Sequence, residues 1–374
     1  PGLIKPLVWS VNVPLVNGVW VGIFTELIGP NQIDPNDLAK SFYSRAYFNM
    51  SAVGRIFEIL GFPRETLELM MGLEADGPEK PTFKPTSKTY ALLPRMLFWT
   101  SRLVGINRRI KAFLPDAWAR YKELAARPLD TLDESQLVRH VERLYTLTQK
   151  VAYYNILAPL LMQTFNGMLK SQLGRVGVDL ESLDLMKGAA ELEQYDPSFH
   201  LVALHRQYVA LEAEVQAHVE KEGYPALGQI PGVKSFRFAL EQFLEQFGHL
   251  SDSGNDFSVV PWREAPELVL ELVVHYPEPA EEGDGMGFED LQLPAVRKQL
   301  LRPLYRRARQ FCLHREAVSS LYTYGYGLFR DVFLTLGARF SERGVLDARE
   351  DVFYLDVDQV RSLVADPQAK GVQD

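Results

Sequence analysis

Cysteine is almost absent from this chain of 374 residues. The single cysteine, Cys312, excludes an internal disulfide and a zinc site built on several thiolates. Chains without disulfides are typical of a reducing compartment, so we predict a cytoplasmic protein.

Basic residues are fewer than acidic residues in this chain. Forty Lys and Arg residues stand against 48 Asp and Glu residues, and the net charge is −8. Domains that bind nucleic acid usually carry an excess of basic side chains. We therefore predict no nucleic-acid partner.

No apolar run continues unbroken for the roughly 18 residues that a membrane span requires. The most apolar stretch, residues 7–28, is interrupted by Asn12, Pro14, Asn17 and Glu26. It also lacks the basic start and the small-residue cleavage site of a signal peptide. We therefore predict no membrane partner.

Several catalytic motifs are missing. The chain contains no G-x-x-x-x-G-K-[ST] phosphate loop, no G-x-G-x-x-G after a strand, no H-E-x-x-H and no G-x-S-x-G. His200 and His205 lie five positions apart, which separates them by about 140° around a helix and suits a shared metal poorly. We predict no metal site, and a self-contained hydrolase is the weakest interpretation.

The apolar spacing predicts a mainly α fold, a multi-helix bundle assembly with one or two short strands near the termini. Residues 7–13, which are partly alternating and β-branched, are predicted to form a short strand or an extended arm, and residues 351–355 are predicted to form a short strand. One domain spanning 1–374 is expected, and the sequence also allows two lobes, 1–130 and 131–374. The principal predicted helices are 38–60, 90–124 with breaks at Gly105 and Pro115, 136–173 with a kink at Pro159, 189–221 with a break at Asp196-Pro197, 233–247, 265–275, 297–337 and 357–364.

A polar, non-periodic loop, residues 248–261, interrupts this helical pattern and is followed by Trp262, Arg263 and Glu264. It contains one His, two Asp, one Asn, three Ser and two Gly. Loops held by rigid elements often carry function. His249 could take a proton from a hydroxyl group, or it could cap the preceding helix. Asp252 and Asp256 could hold Mg²⁺ or orient the histidine, or they could bond their own turn.

The residues after the loop also allow two interpretations. The Arg263 guanidinium could steer a phosphoryl group, or it could pair with Glu264 or Glu267. Trp262 is more typical of a packing anchor. Aromatic residues could line an apolar ligand pocket, although such residues at helical spacing usually belong to a core; they are Trp9, Trp20, Phe24, Tyr47, Phe48, Trp99, Tyr322, Tyr324, Tyr326 and Phe329.

Several segments resemble the central domain of the phosphoenolpyruvate synthase and pyruvate phosphate dikinase enzymes, and above all the rifampicin phosphotransferase type. Pro6–Ser10 is similar to "P-L-[TS]-W-S", and Ser44–Asn49 is similar to "G-R-x-Y-x-N". Gly248–Glu264 is similar to "Y-G-H-R-G-x-x-E-x-D…P-R-W-x-E". Leu313–Glu316 with Arg343–Leu355 resembles the closing "R-E…R-G-V-x-x-x-x-E-D-V-F-Y-L". Leu250 departs from the pattern, which has Arg there.

The resemblance implies one part of a three-part enzyme. In that family an ATP-grasp domain uses ATP and Mg²⁺ to phosphorylate a histidine on a swivelling domain, which carries the phosphoryl group to an acceptor. This chain is similar only to the acceptor-side domain, so the resemblance implies a natural or engineered fragment without its own cofactor. The departure at Leu250 implies that the acceptor could differ from a rifamycin.

We therefore predict a domain that binds a small, hydroxylated acceptor, with the ATP-grasp and phosphohistidine domains as partners. The predicted catalytic residues are His249 and Arg263. The predicted substrate-binding residues are Trp9, Tyr47, Asn49, Asp252, Asn255, Asp256, Trp262, Tyr322 and Tyr324. Alone, the chain is expected neither to hydrolyse ATP nor to transfer phosphate. The alternative is a non-catalytic helical scaffold that docks partner proteins.

Overall fold

A computed structural model describes residues 3–30, 34–61, 85–254, 256–277 and 286–366, and these residues are mainly α-helical. The α-helices are α1 Pro6–Ile28, α2 Pro35–Leu38, α3 Met50–Leu60, α4 Ser87–Leu103, α5 Ile106–Ala125, α6 Glu134–Gly174, α7 Pro197–Val209, α8 Ala213–Glu222, α9 Lys234–Phe247, α10 Pro266–Val274, α11 Ala295–Glu342 and α12 Val357–Ala365. The strands are β1 Ala39–Phe42 and β2 Arg45–Phe48, and short 3-10 helices lie at Leu129–Thr131, Leu180–Ser182, Ala190–Leu192, Tyr224–Ala226, Phe288–Asp290 and Arg349–Tyr354.

The contacts divide the chain into two compact units. Unit 1 comprises Pro1–Leu157 and Leu328–Asp374, and unit 2 comprises Ala158–Gly327. The mainly α fold class is confirmed. The predicted domain organisation stays a prediction.

The predicted strand at residues 7–13 is wrong, because these residues form the first turns of α1. Leu7, Val11, Leu15, Val19 and Ile23 are all buried and recur every four residues, which places them on one side of a helix. Pro6 begins the helix, where its missing N–H costs nothing. A window of seven residues, three of them valine, is too short to reveal this spacing.

Among the described residues, α1 is long enough and apolar enough to cross a membrane by length and composition alone. Core helices meet the same criterion, and 44% of its most apolar window is buried within the protein.

The predicted helix 38–60 is interrupted by a β-hairpin. Asp34 caps the predicted helix start by accepting a hydrogen bond from the Asn36 N–H at 2.8 Å, but α2 ends at Leu38. Strands β1 and β2 then pair antiparallel, and the turn residues Tyr43 and Ser44 both have positive φ angles. Asn-Gly or Asp-Gly usually marks such a turn. Neither is present here, so the sequence carried no hairpin signal.

The predicted strand at residues 351–355 is also wrong, because Arg349–Tyr354 is a 3-10 helix. The consecutive residues Val352 and Phe353 are both buried, which an alternating strand could not achieve with one core face. The Asp351 carboxylate accepts a hydrogen bond from the Ala348 N–H at 2.8 Å and stabilises this turn.

The breaks in two predicted helices differ in part from the prediction. Gly105 separates α4 from α5 as predicted, but Pro115 lies within α5 without ending it. The predicted helix 189–221 is broken at Asp196-Pro197, as expected, and again between α7 and α8. The long helix α6 continues through Pro159.

Two apolar clusters of described residues lie in unit 2. One is centred on α9, where Phe236, Leu240, Phe243 and Phe247 form a buried stripe that packs with residues of α7 and α10. The other joins Leu169 and Leu173 of α6 to Phe288 and neighbouring residues. Helix α9 ends directly at the polar loop, so its packed stripe fixes where that loop begins.

Candidate functional site

The polar loop of unit 2 is closed at its base by backbone hydrogen bonds. The Trp262 N–H donates to the Leu250 carbonyl at 2.8 Å, and the Arg263 N–H donates to the Gly248 carbonyl at 2.8 Å. A Cβ at Gly248 would lie 2.9 Å from the Arg263 Cβ. The two ends of the loop therefore meet closely, and glycine is the residue that leaves room for this.

His249 lies at the start of the loop as a neutral imidazole. Burial first, and then the nearby Arg263 charge, lower its pKa to about 4. The ring also bonds to the Gln246 backbone carbonyl, while Nε2 is buried without a hydrogen-bond partner among the described residues. The proton therefore sits on Nδ1, and Nε2 carries a free lone pair.

Helix α11 forms a wall beside His249. The Tyr324 ring meets the imidazole edge to face, with 5.2 Å between ring centroids. At Gly327 an added Cβ would lie 3.7 Å from the His249 carbonyl oxygen, so the helix backbone passes close to the loop. Tyr322 is buried and stacks on Tyr326, with 5.8 Å between centroids. The structure thus brings Tyr324 to His249 and places Tyr322 in the packed interior behind it.

The acidic loop residues have different surroundings. One Asp256 carboxylate oxygen accepts hydrogen bonds from the Ser258 N–H at 2.8 Å and the Ser258 hydroxyl at 2.6 Å, so Asp256 stabilises its own turn. Asp252 lines a cavity of about 390 Å³ together with Glu271, His275 and Tyr276. No group of three or more potential metal ligands occurs among the described residues. Asn255 lies outside the described residues.

Trp262 packs into the core beneath the loop. Its side chain is buried and stacks on Phe243, with 5.9 Å between ring centroids. Its Nε1 is buried without a hydrogen-bond partner in the described part of the chain. This geometry favours the packing interpretation of Trp262. The Arg263 charge reaches His249, as the lowered histidine pKa shows.

The loop and the helices α9 and α10 that flank it fall in one segment that matches a known family, and the part of α11 beside His249 follows that segment. Residues 152–316 match the family model of the rifampicin phosphotransferase fourth domain. This segment is similar to a rifampicin phosphotransferase domain. The match confirms the predicted resemblance, although it covers less than half of the chain. No curated protein matches the chain.

The rifampicin phosphotransferase-like segment contains His249, Asp252, Asp256, Trp262 and Arg263. Tyr322 and Tyr324 follow it on the same helix, α11. The motifs at 6–10, 44–49 and 343–355 lie outside the matched residues. The roles of the individual site residues stay predictions.

The three remaining predicted residues belong to unit 1. Trp9 lines a cavity of about 490 Å³ with Tyr145 and Arg361. Tyr47 is half exposed on β2 and meets Phe42 edge to face, with 5.6 Å between centroids. Asn49 caps α3, because its side-chain oxygen accepts a hydrogen bond from the Ala52 N–H at 3.1 Å. The three residues therefore have different surroundings: a cavity, an exposed face of the hairpin and a helix cap.

Sequence reasoning missed Tyr145 and Arg361, the partners of Trp9. They come from α6 and α12, more than 100 positions from Trp9 in the chain, and no local spacing links them. The phenol of Tyr145 has a pKa raised by burial, and the Arg361 charge opposes this rise. The cavity thus combines two aromatic rings with a cation.

His249 should make the stability of the chain depend on pH. Its pKa is about 4 in the folded chain and about 6.5 when unfolded, so the unfolded state binds more protons between these values. This stability is present in full above about pH 6.5 and falls as the pH drops. We expect a loss of about 2 kcal/mol from pH 7.5 to pH 5, measured by urea denaturation.

The His249→Gln variant should lose this part of the pH dependence. His218 is an exposed histidine on α8, so His218→Gln is the matched control and should behave like the wild type. An unchanged pH dependence in His249→Gln would show that the imidazole titrates normally in the folded protein.

Proposed function

We propose that the chain binds a small, hydroxylated acceptor and holds it for phosphoryl transfer from a phosphohistidine on another domain. The observation that carries this proposal is the match of residues 152–316 to the rifampicin phosphotransferase fourth domain. The matched segment includes the polar loop, where a neutral histidine lies close to an arginine. Rifampicin is accordingly the first acceptor to test.

His249 acts in this proposal as the base. Its Nε2 lone pair takes the proton of the acceptor hydroxyl as the hydroxyl oxygen bonds to phosphorus and the phosphorus–nitrogen bond of the phosphohistidine breaks. A pKa of about 4 makes the resting imidazole a weak base. The arriving phosphoryl group is negatively charged and raises that pKa, because a nearby anion favours the protonated form.

Two further residues support the transfer. The Arg263 guanidinium can pair with phosphoryl oxygens through two parallel hydrogen bonds. Tyr324 covers the imidazole edge, and Nε2 is buried, so the hydroxyl reaches it only when the loop or this ring moves. The closed arrangement excludes water until an acceptor is bound, which limits loss of the phosphoryl group to hydrolysis. ATP and Mg²⁺ serve the donor domains in this scheme.

The alternative function, a non-catalytic scaffold for partner proteins, has support from the β-hairpin of unit 1. The aromatic side chains of this hairpin are largely exposed to solvent, with exposed fractions from 51% for Tyr47 to 96% for Tyr43. Phe42 and Phe48 are also more than half exposed. Exposed apolar groups of this kind are typical of protein-binding surfaces.

Isothermal titration calorimetry with rifampicin, other macrocyclic compounds and small aromatic alcohols separates the two functions. We expect one compound class to bind with 1:1 stoichiometry. Tyr324→Ala should weaken its binding at least tenfold, which corresponds to about 1.4 kcal/mol. Tyr354→Ala removes an exposed tyrosine from the 3-10 helix of unit 1 and is the matched control. A panel without any binder favours the scaffold.

The role of His249 requires a transfer assay in a longer protein that contains the donor domains. His249→Gln should lower kcat by about 10²- to 10⁴-fold, the usual contribution of a general base. The dissociation constant of the acceptor should change little, since the base acts on the transition state. An unchanged kcat would remove His249 from the mechanism and leave the binding proposal intact.

A further inference from the structure

A basic groove runs between α5 and α6 in unit 1, outside the rifampicin phosphotransferase-like segment. It has a volume of about 550 Å³. Its positive side chains are Arg120, Arg127, Arg139, Arg143 and Lys150. Only two carboxylates, those of Glu123 and Glu142, line the same groove.

The two helices that form the basic groove are antiparallel neighbours. The Tyr121 hydroxyl of α5 donates to the Thr148 hydroxyl of α6 at 2.9 Å. Further along, Phe113 packs on Tyr154, with 4.6 Å between ring centroids. Residue numbers increase along α5 in the direction in which they decrease along α6, so the two helices run antiparallel. These two contacts fix the register between the helices.

The positive side chains share one side of each helix. On α6, Lys150 follows Arg139 by eleven residues, or about three full turns, and Arg143 lies about one turn after Arg139. On α5 and just beyond it, Arg120 and Arg127 are seven residues apart, or about two turns. Charged side chains on a solvated helix usually point outward in several directions. These five side chains instead line one groove.

Most of these charges have no carboxylate partner. Arg120 pairs with Asp116 at 3.0 Å, but no described acidic residue forms an ion pair with Arg127, Arg139, Arg143 or Lys150. Glu123 and Glu142 line the groove without neutralising them. A surplus of positive charge therefore remains in a chain whose net charge is −8.

The positive charges of this groove affect the pKa of a buried histidine. His140, next to Arg139 on α6, is only 3% exposed. Burial lowers its pKa first, and the charges of Arg127 and Arg143 lower it further. The positive potential thus extends into the helix pair as well as into the solvent.

We propose that the basic groove binds a small polyanion that carries adjacent phosphate groups. Arginine dominates the lining, and its planar guanidinium matches phosphate oxygens through two hydrogen bonds. The apolar lining is limited to Leu124 and Leu147, so the groove offers no aromatic platform for a base ring. The two glutamates confine the positive surface to a short stretch, which favours a compact anion over a long nucleic-acid strand.

Isothermal titration calorimetry with sodium tripolyphosphate tests this inference on the complete chain. The wild type should bind one equivalent at 50 mM NaCl, and at 300 mM NaCl it should bind at least tenfold more weakly because salt screens the exposed charges. The double variant Arg139→Gln/Arg143→Gln should bind at least tenfold more weakly than the wild type at low salt. Far-ultraviolet circular dichroism confirms that the variants fold.

The matched control removes two positive charges elsewhere. Arg306 and Arg307 are exposed on α11, and the double variant Arg306→Gln/Arg307→Gln should bind tripolyphosphate within twofold of the wild type. Equal losses in both double variants would overturn the proposal, because they would show attraction to overall charge. So would no binding by the wild type, or equally strong binding of citrate, which is a polyanion without phosphate.

Discussion

Replacing Phe353 by Ala should lower the free energy of unfolding by about 3–5 kcal/mol, the usual effect of deleting a buried aromatic side chain. Phe353 is 1% exposed in unit 1. The Lys5 ammonium lies 5.2 Å from its ring centroid, and the Arg330 guanidinium lies 5.6 Å from it. The substitution removes the packing of the ring and both cation–π contacts. Urea denaturation at pH 7.5 measures the change.

The next residue in the chain provides the control for Phe353. Tyr354 has the same 3-10 backbone and is 63% exposed, so Tyr354→Ala should change the free energy of unfolding by less than about 1 kcal/mol. Similar losses in the two variants would mean that the 3-10 helix itself, rather than the buried ring, is the stabilising feature.

Replacing Gly337 by Ala should lower the free energy of unfolding by about 1–3 kcal/mol, as expected when a methyl group is forced into a packed interior. The added Cβ would lie 2.1 Å from the Arg349 carbonyl oxygen and 3.0 Å from the Val352 Cβ. The first of these is a backbone atom that cannot rotate away. Helix α11 or the 3-10 helix must therefore shift.

Gly22 provides a control of opposite sign. It lies within α1, and nothing lies within 4 Å of the Cβ that alanine would add. Gly22→Ala should raise the free energy of unfolding by roughly 0.5–1 kcal/mol, because alanine loses less backbone entropy in a helix. Destabilisation by both substitutions would show that the close approach at Gly337 is not the cause.

Helices with a local signal were predicted well. The predicted helix 233–247 corresponds to α9, whose four buried aromatic and leucine residues follow helical spacing. The start of α6 follows Asp133, which accepts a hydrogen bond from the Gln136 N–H at 2.7 Å. The start of α12 follows Asp356, whose carboxylate accepts from the Asp358 and Gln359 N–H groups. In each case neighbouring residues suffice to determine the structure.

Segments whose structure depends on distant partners were predicted poorly. Residues 351–355 have the composition of a strand, but a strand needs a neighbour to satisfy its backbone, and none lies beside them among the described residues. The close approach of Gly337 and Arg349 instead favours a compact 3-10 helix. The hairpin at 39–48 likewise rests on two positive φ angles at Tyr43 and Ser44, which residue type does not indicate.

In the candidate site too, the sequence indicated the local features, and the features that depend on distant residues came only from the structure. The loop composition singled out His249 and Arg263, and the motif order indicated a rifampicin phosphotransferase-type segment, which the family match confirms. The lowered pKa of His249 results from its burial and from the charge of Arg263. The sequence alone does not indicate this shift, because the burial of His249 depends on residues of α11 that are distant in the chain.

The sequence by itself determined the mainly α fold, the position of the polar loop and the resemblance, because helix periodicity, caps and motif order are local properties of the chain. Only the tertiary structure decided which predicted site residues meet, which are packed and which are charged. Tyr324 reaches His249, Asp256 bonds its own turn, and Trp9 lies in a cavity of unit 1. These outcomes depend on contacts between residues far apart in the chain, and burial and electrostatics follow from those contacts.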